Sequence, residues 1–142
     1  MEIVKLEKTG KNTKLFEQLK KLDNDFEFQE KNDSESLFYI IEDEKILGYA
    51  IVELTERACL KRIFINKKLR NNGFGSILLK YLINWLINNN FDSLVVENHK
   101  HMNNFLEKQR FIKNKDGFYE LGNFREERKQ NRRMIFVSKF AI

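Results

Sequence analysis

Two apolar runs, Leu60 to Ile65 and Phe74 to Ile87, flank the segment Arg70-Asn71-Asn72-Gly73-Phe74-Gly75-Ser76. The first run is short enough for a buried strand. The second has the spacing of a helix, with Phe74, Ile77, Leu78, Tyr81, Leu82 and Trp85 on one side. A strand, a glycine-bearing turn and a helix start make an anion site. The first amides of a helix have no intrahelical partner, and the helix dipole places partial positive charge there. Glycine lets oxygen-rich groups approach the backbone closely, and Arg70 adds a charge-assisted donor suited to phosphate. The plainer alternative is a capping turn beside an exposed arginine.

Few other residues offer chemistry. Cys59 is the single cysteine, so the sequence holds neither an internal disulfide nor a cysteine metal framework. His99 and His101 are the only histidines and argue against a zinc site. The run from Asp23 to Glu35 carries six carboxylates against Lys31 alone. It reads as a loop anchored by Phe26 and Phe28, and a solvated surface would explain its charge equally well.

The elements around these residues follow from periodicity. Ile3, Val4 and Leu6 support a first strand, and Asn12 or Thr13 can cap a helix carrying Leu15, Phe16, Leu19 and Leu22. Ser36 to Ile41 and Ile46 to Leu54 pair as strands around Glu42 to Lys45, and Thr55-Glu56-Arg57 turns the chain into the strand ending at Ile65. The helix from Phe74 takes Trp85 and Tyr81 into the core and stops at Asn88 to Asn90, because Asn tolerates the left-handed conformation. Phe91 to Glu97 is the next strand. The helical crossover makes it parallel to Leu60–Ile65. Met102, Phe105 and Leu106 mark a short helix, and strands at Phe111 to Leu121 and Arg133 to Phe140 close the sheet around the charged loop Gly122 to Arg132.

Arg70-x-x-Gly73-x-Gly75 after Leu60-Lys61-Arg62-Ile63-Phe64-Ile65 resembles the acyl-CoA-binding motif of the GNAT superfamily, (Arg/Gln)-x-x-Gly-x-(Gly/Ala). Phe105-Leu106-Glu107-Lys108-Gln109-Arg110-Phe111 is similar to that family's Phe-Tyr-Glu-Lys-Leu-Gly-Phe stretch, and Gly48-Tyr49-Ala50 resembles its third strand. The likeness runs from about Ile46 to Phe111. It implies an α/β fold: a mixed, centrally splayed sheet of about six to seven strands with helices on both faces, as one domain over residues 1–142. It further implies acetyl-CoA as acyl donor, held by Ile63, Phe64 and Ile65, by Arg70 to Ser76, and by Asn98 and Phe105, with no metal. Asn98, His99 and His101 precede the short helix, where they either cap it or touch the cofactor.

Two departures from the pattern bear on mechanism. Leu106 stands where relatives often hold the tyrosine that protonates the departing thiolate. Cys59 stands where many hold a glutamate that deprotonates the acceptor through water. A three-residue turn would set Glu53 opposite Cys59 on the same face, making Glu53 a candidate base, whereas a two-residue turn would send it to the other face. Tyr119 and Tyr49 are candidate acids, with bulk water as the alternative.

The expected activity is transfer of acetyl from acetyl-CoA to a primary amine, small or peptidic. The acidic run beside the acceptor region implies a cationic substrate. A GNAT-like module that senses acyl-CoA for a protein partner, with catalysis lost, is the other reading. The net charge of +5 raises nucleic acid as a partner, but no aromatic stacking pattern or reading helix supports it. No apolar stretch suits a membrane span and Met1 to Lys8 is charged throughout, so a cytoplasmic monomer or homodimer is expected.

Overall fold

A computed structural model describes residues 1–97 and 99–125. In chain order the elements are β1 (Glu2–Lys5), α1 (Thr13–Leu22), β2 (Glu35–Glu42), β3 (Lys45–Leu54), β4 (Ala58–Ile65), α2 (Phe74–Asn88), β5 (Leu94–Val96), α3 (Asn103–Lys108), β6 (Ile112–Lys113) and β7 (Tyr119–Leu121). One 3₁₀ turn, Lys67–Leu69, leads out of β4. The strands form one sheet in the order β1-β2-β3-β4-β5-β7-β6. The strand expected at Arg133 to Phe140, most of the charged loop before it, and Asn98 lie outside the described residues.

Why the chain folds this way is readable locally. β3 is buried without interruption from Ile46 to Val52, as a strand covered on both faces must be, and the hairpin between β2 and β3 turns on Asp43 and Glu44, both at positive φ, as a two-residue turn following the sheet twist requires. The sheet has two apolar faces. Leu37, Tyr49 and Ile51 face α1 with Leu19 and Phe26, while Phe38, Ala50, Val52 and Leu60 face α2 with Leu78, Leu79, Leu82 and Leu86. Helices therefore cover both faces. Asn12 holds the first position before α1, but its side chain donates to Glu30 Oε1 (2.8 Å) and not to the helix. Asn90 takes φ 66° at the end of α2, and Arg110 takes φ 69° where the resembling motif has glycine.

Three expectations need correction. Tyr81 and Ile77 remain 39% exposed, because they flank the face of α2 whose leucines enter the core; Trp85 is half-buried and packs against that core, its ring 5.6 Å from that of Phe38. Phe111 to Leu121 is not one strand. Asn114 accepts from the amides of Asp116 and Phe118 and folds the segment into a tight loop between β6 and β7. β5 spans only Leu94–Val96, because the segment before it is fixed by helix-end contacts such as Phe91 N–H to Leu86 O (3.0 Å).

The central joint of the sheet is parallel and brief. β4 pairs with β5 only at Ala58↔Leu94 and Cys59↔Val95, while β4 continues to Ile65 alongside β3. From Leu60 onward the two strands part, and half of β4's amides and carbonyls border a gap. Lys61 is an extra residue in β4: Val52 pairs with Leu60 and Ile51 with Arg62. Such a bulge bends its strand and increases twist at that point, where the strands separate.

Candidate active site

The mouth of the gap is built by the turn between β4 and α2. Gly73 precedes α2 with φ 85°, and Asn71 sits at φ 67°. The first intrahelical bond runs from Ile77 N–H to Gly73 O, so the amides of Phe74, Gly75 and Ser76 have no intrahelical acceptor. Gly75 is also needed for packing: a Cβ there would lie 3.2 Å from the Phe105 ring and 3.7 Å from Ile65 Cγ1. Ser76 Oγ accepts from Gln109 (2.7 Å), tying the start of α2 to the end of α3. Arg70 folds back over β4. Its Nε donates to Ile65 O (3.0 Å), and its guanidinium lies 4.9 Å from the Phe64 ring centre. Of the predicted cofactor residues, Phe64, Ile65, Arg70, Gly75 and Phe105 are thus joined by contacts, Asn71 to Phe74 and Ser76 belong to the same turn and helix start, and Ile63 lies two residues back on β4.

Gly48 pairs with Ile65 at this same point, and a Cβ on it would lie 2.7 Å from Phe64 O and 2.5 Å from Ile65 Cδ1. The glycine in β3 is there for backbone approach.

On the α1 face, Glu35, Glu53 and Cys59 stand in one cross-strand row. The turn Thr55-Glu56-Arg57 does have three residues, closed by Thr55 N–H to Arg57 O (3.2 Å). Cys59 is the last β4 residue with a β5 partner. Glu53 therefore stands one strand spacing, about 4.8 Å, from where the gap opens. Its side chain is 34% exposed, with Lys61 Nζ at 3.8 Å. Burial pushes the Cys59 thiol up, which disfavours the reactive thiolate. Glu97, which the sequence reading passed over as a functional residue, follows β5 near Cys59 and is bound to Arg57 at 2.7 Å. Only its position after a short apolar strand could have suggested it.

A cleft of about 340 Å³ lies on this face, lined by Asp25, Glu27, Gln29, Glu35, Ile51, Lys61 and Arg62. The bulge aims both Lys61 and Arg62 into it. Each cation is already matched, Lys61 by Glu53 and Arg62 by Asp23 (Nε to Oδ2, 2.7 Å). Counting those partners, five carboxylates surround the cleft against two cations.

Tyr119 and Tyr49 are differently placed. Tyr119 pairs with Val96 and faces α3, on the side opposite to Glu53, and its hydroxyl donates to Glu107 Oε1 (2.7 Å). That hydrogen bond raises its pKa, with burial adding to it. Tyr49 is fully buried and donates to Asp23. Burial and the Asp23 carboxylate together push its pKa up. Leu106 is buried in the core beneath α3. His99 sits against the Tyr119 ring (4.8 Å) and approaches Asn103 Oδ1 (2.8 Å). Among the described residues, no helix is long and apolar enough to cross a membrane.

The fold has counterparts among solved structures. The E. coli ribosomal-protein-S18-alanine N-acetyltransferase is similar at TM-score 0.63 and 19% identity, over 86% of this chain and 93% of that one. The E. coli protein YhhK, solved bound to coenzyme A, is similar at TM-score 0.67 and 19% identity (85% and 97%). An aminoglycoside acetyltransferase from an uncultured soil metagenomic sample, solved with sisomicin, is similar at TM-score 0.62 and 17% identity (77% and 84%). At such identities these likenesses concern the fold. No curated protein sequence matches the chain. The sequence pattern of the Acetyltransferase (GNAT) family does match, over residues 3–111, and the chain belongs to that family.

Proposed function

We propose that this protein is an N-acetyltransferase that moves the acetyl group of acetyl-CoA directly to a cationic primary amine. The observation that carries the proposal is the acidic cleft ending one strand spacing from the opening of the gap. The donor's pantetheine arm would lie between β4 and β5, its pyrophosphate against the amides of Phe74, Gly75 and Ser76. No covalent enzyme intermediate is needed. The amine arrives as an ammonium, attracted by the carboxylates, and loses a proton to Glu53, directly or through water. The free amine attacks the thioester carbonyl, and β4 backbone amides bordering the gap offer hydrogen bonds to the developing oxyanion. The C–S bond then breaks, the nitrogen gives up its second proton to water as the amide forms, and CoA leaves as thiolate. Leu106 offers that thiolate no proton, and Tyr119 is bound to Glu107, so water is the simplest proton source.

Thiol release from acetyl-CoA, measured with a panel of amines, tests this reading. Cationic primary amines such as spermidine should be acetylated, and their apparent affinity should fall as salt is raised. Acidic acceptors should react poorly. Leu106 favours one other reading, an acyl-CoA-sensing module that regulates a protein partner. Tight CoA binding with no thiol release from any amine would select that module.

Arg70 gives a separate check on the donor site. Replacing it by Ala removes a charged donor and releases Ile65 O. Calorimetry should show CoA bound about 5- to 100-fold more weakly, corresponding to roughly 1–3 kcal/mol. Wild-type affinity in this variant would move the phosphates elsewhere.

A further inference from the structure

Asp23 is the most enclosed charged group near the cleft, at 5% exposure, and the chemistry above does not use it. It follows the last turn of α1, where the helix dipole disfavours an anion. One carboxylate there collects three separate parts of the protein. Oδ1 accepts from the Asp25 amide (3.0 Å) in the acidic loop. Oδ2 accepts from Tyr49 of β3 and from Arg62 Nε of β4 (2.7 Å), and Arg62 Nε also approaches the Tyr49 hydroxyl (3.0 Å). Burial works against the charged form, but the donors from Arg62, Tyr49 and Asp25 outweigh it and hold the carboxyl below its usual range.

A buried ion pair is a poor way to gain stability, since well-packed apolar groups do as well or better. What this one provides is position. Arg62 lines the cleft, and its Nη2 stands only 4.0 Å from Asp25 Oδ2, on a side chain that is otherwise freely exposed. With Asp23 beneath it, the guanidinium is satisfied from below. Without Asp23, its charge would turn to Asp25 and the other carboxylates of the cleft.

We infer that Asp23 is the positioning residue of the acceptor site: by holding Arg62 down against β3 and fixing the Asp25 turn, it keeps the cleft carboxylates available to a cationic acceptor. This inference rests on the acceptor cleft proposed above.

The test uses spermidine as probe, with Asp23→Asn and the double variant Asp23→Asn/Arg62→Leu. Asparagine keeps the shape and can still accept from the Asp25 amide, but it does not neutralise Arg62. The KM for spermidine, or its dissociation constant by calorimetry with CoA present, should rise about tenfold in Asp23→Asn. The CoA dissociation constant should stay within twofold and kcat within about threefold. Removing the freed cation in the double variant should restore most of the spermidine affinity. A purely structural role predicts the opposite order, with the double variant worse than the single. The inference is overturned if the single variant binds spermidine like wild type, if CoA and spermidine affinities fall together, or if the double variant shows no recovery. Wild-type protein that neither binds nor acetylates any amine would instead refute the acetyltransferase reading, and this inference with it.

Discussion

Gly48→Ala should lose at least tenfold in CoA affinity and on the order of 2–3 kcal/mol in stability, from one added methyl group. A Cβ at Gly48 would lie 2.7 Å from Phe64 O, a backbone atom that no side-chain rotation can move aside. The end of β4 must shift instead. Ile65 carries the carbonyl that holds Arg70 Nε, and its side chain lies against Gly75 at the start of α2. A displacement of Ile65 therefore reaches both the arginine and the helix amides at the mouth of the gap. Calorimetry with CoA and thermal unfolding measure the two effects separately. If the variant binds CoA as wild type does, the closeness of β3 to β4 at this point has no bearing on the site.

Glu53→Gln should lower turnover by about two to three orders of magnitude, within the range for loss of a general base, with CoA affinity intact. Glutamine keeps size and hydrogen bonding but cannot take the proton. The other groups in reach are poorer bases. Burial disfavours the Cys59 thiolate, and Glu97 is bound to Arg57 at 2.7 Å, whereas Lys61 stands 3.8 Å from Glu53. The pH–rate profile of the variant should differ from that of wild type on its acidic side. Turnover within twofold of wild type across about pH 6–9 would remove Glu53 from the mechanism and leave deprotonation to bulk water.

Local rules made much of this legible in the sequence. The glycine turn and the following helix could be placed to the residue because Gly73 and the apolar period of α2 are contiguous signals. The position of Glu53 opposite Cys59 was legible only as one of two alternatives set by the turn length, and the pairing selects the three-residue turn. The β4 bulge at Lys61 was not legible. Lys61-Arg62 reads as two ordinary polar residues in an apolar strand, and only the pairing with β3 reveals the extra one. The cluster of Asp23, Tyr49 and Arg62 was equally hidden, because its members lie on three elements and Asp23 reads as the first of several loop carboxylates. Tyr81 and Trp85 were misjudged for a related reason. A helix apolar on most sides suggests cover on most sides, whereas here the leucines are fully covered and the two aromatics only border Phe38 at the edge of the covered face.

The parallel joint at Ala58↔Leu94 and Cys59↔Val95 has a consequence for folding and persistence. β2 to β4 form a meander of antiparallel neighbours close in sequence, whereas β5 reaches β4 only after the whole of α2 has crossed the sheet. Contacts of that separation form late, since loop closure must come first. Once formed, the joint rests on two residue pairs, and β4 beyond it presents an internal edge. An edge of this kind is a template for another strand. A molecule that fills it in the folded chain alone stabilises the whole by mass action, by about 2.7 kcal/mol at a hundredfold excess over its Kd. On the proposed function the donor substrate would be such a molecule, taking the place of a strand and stabilising the sheet whenever it is bound.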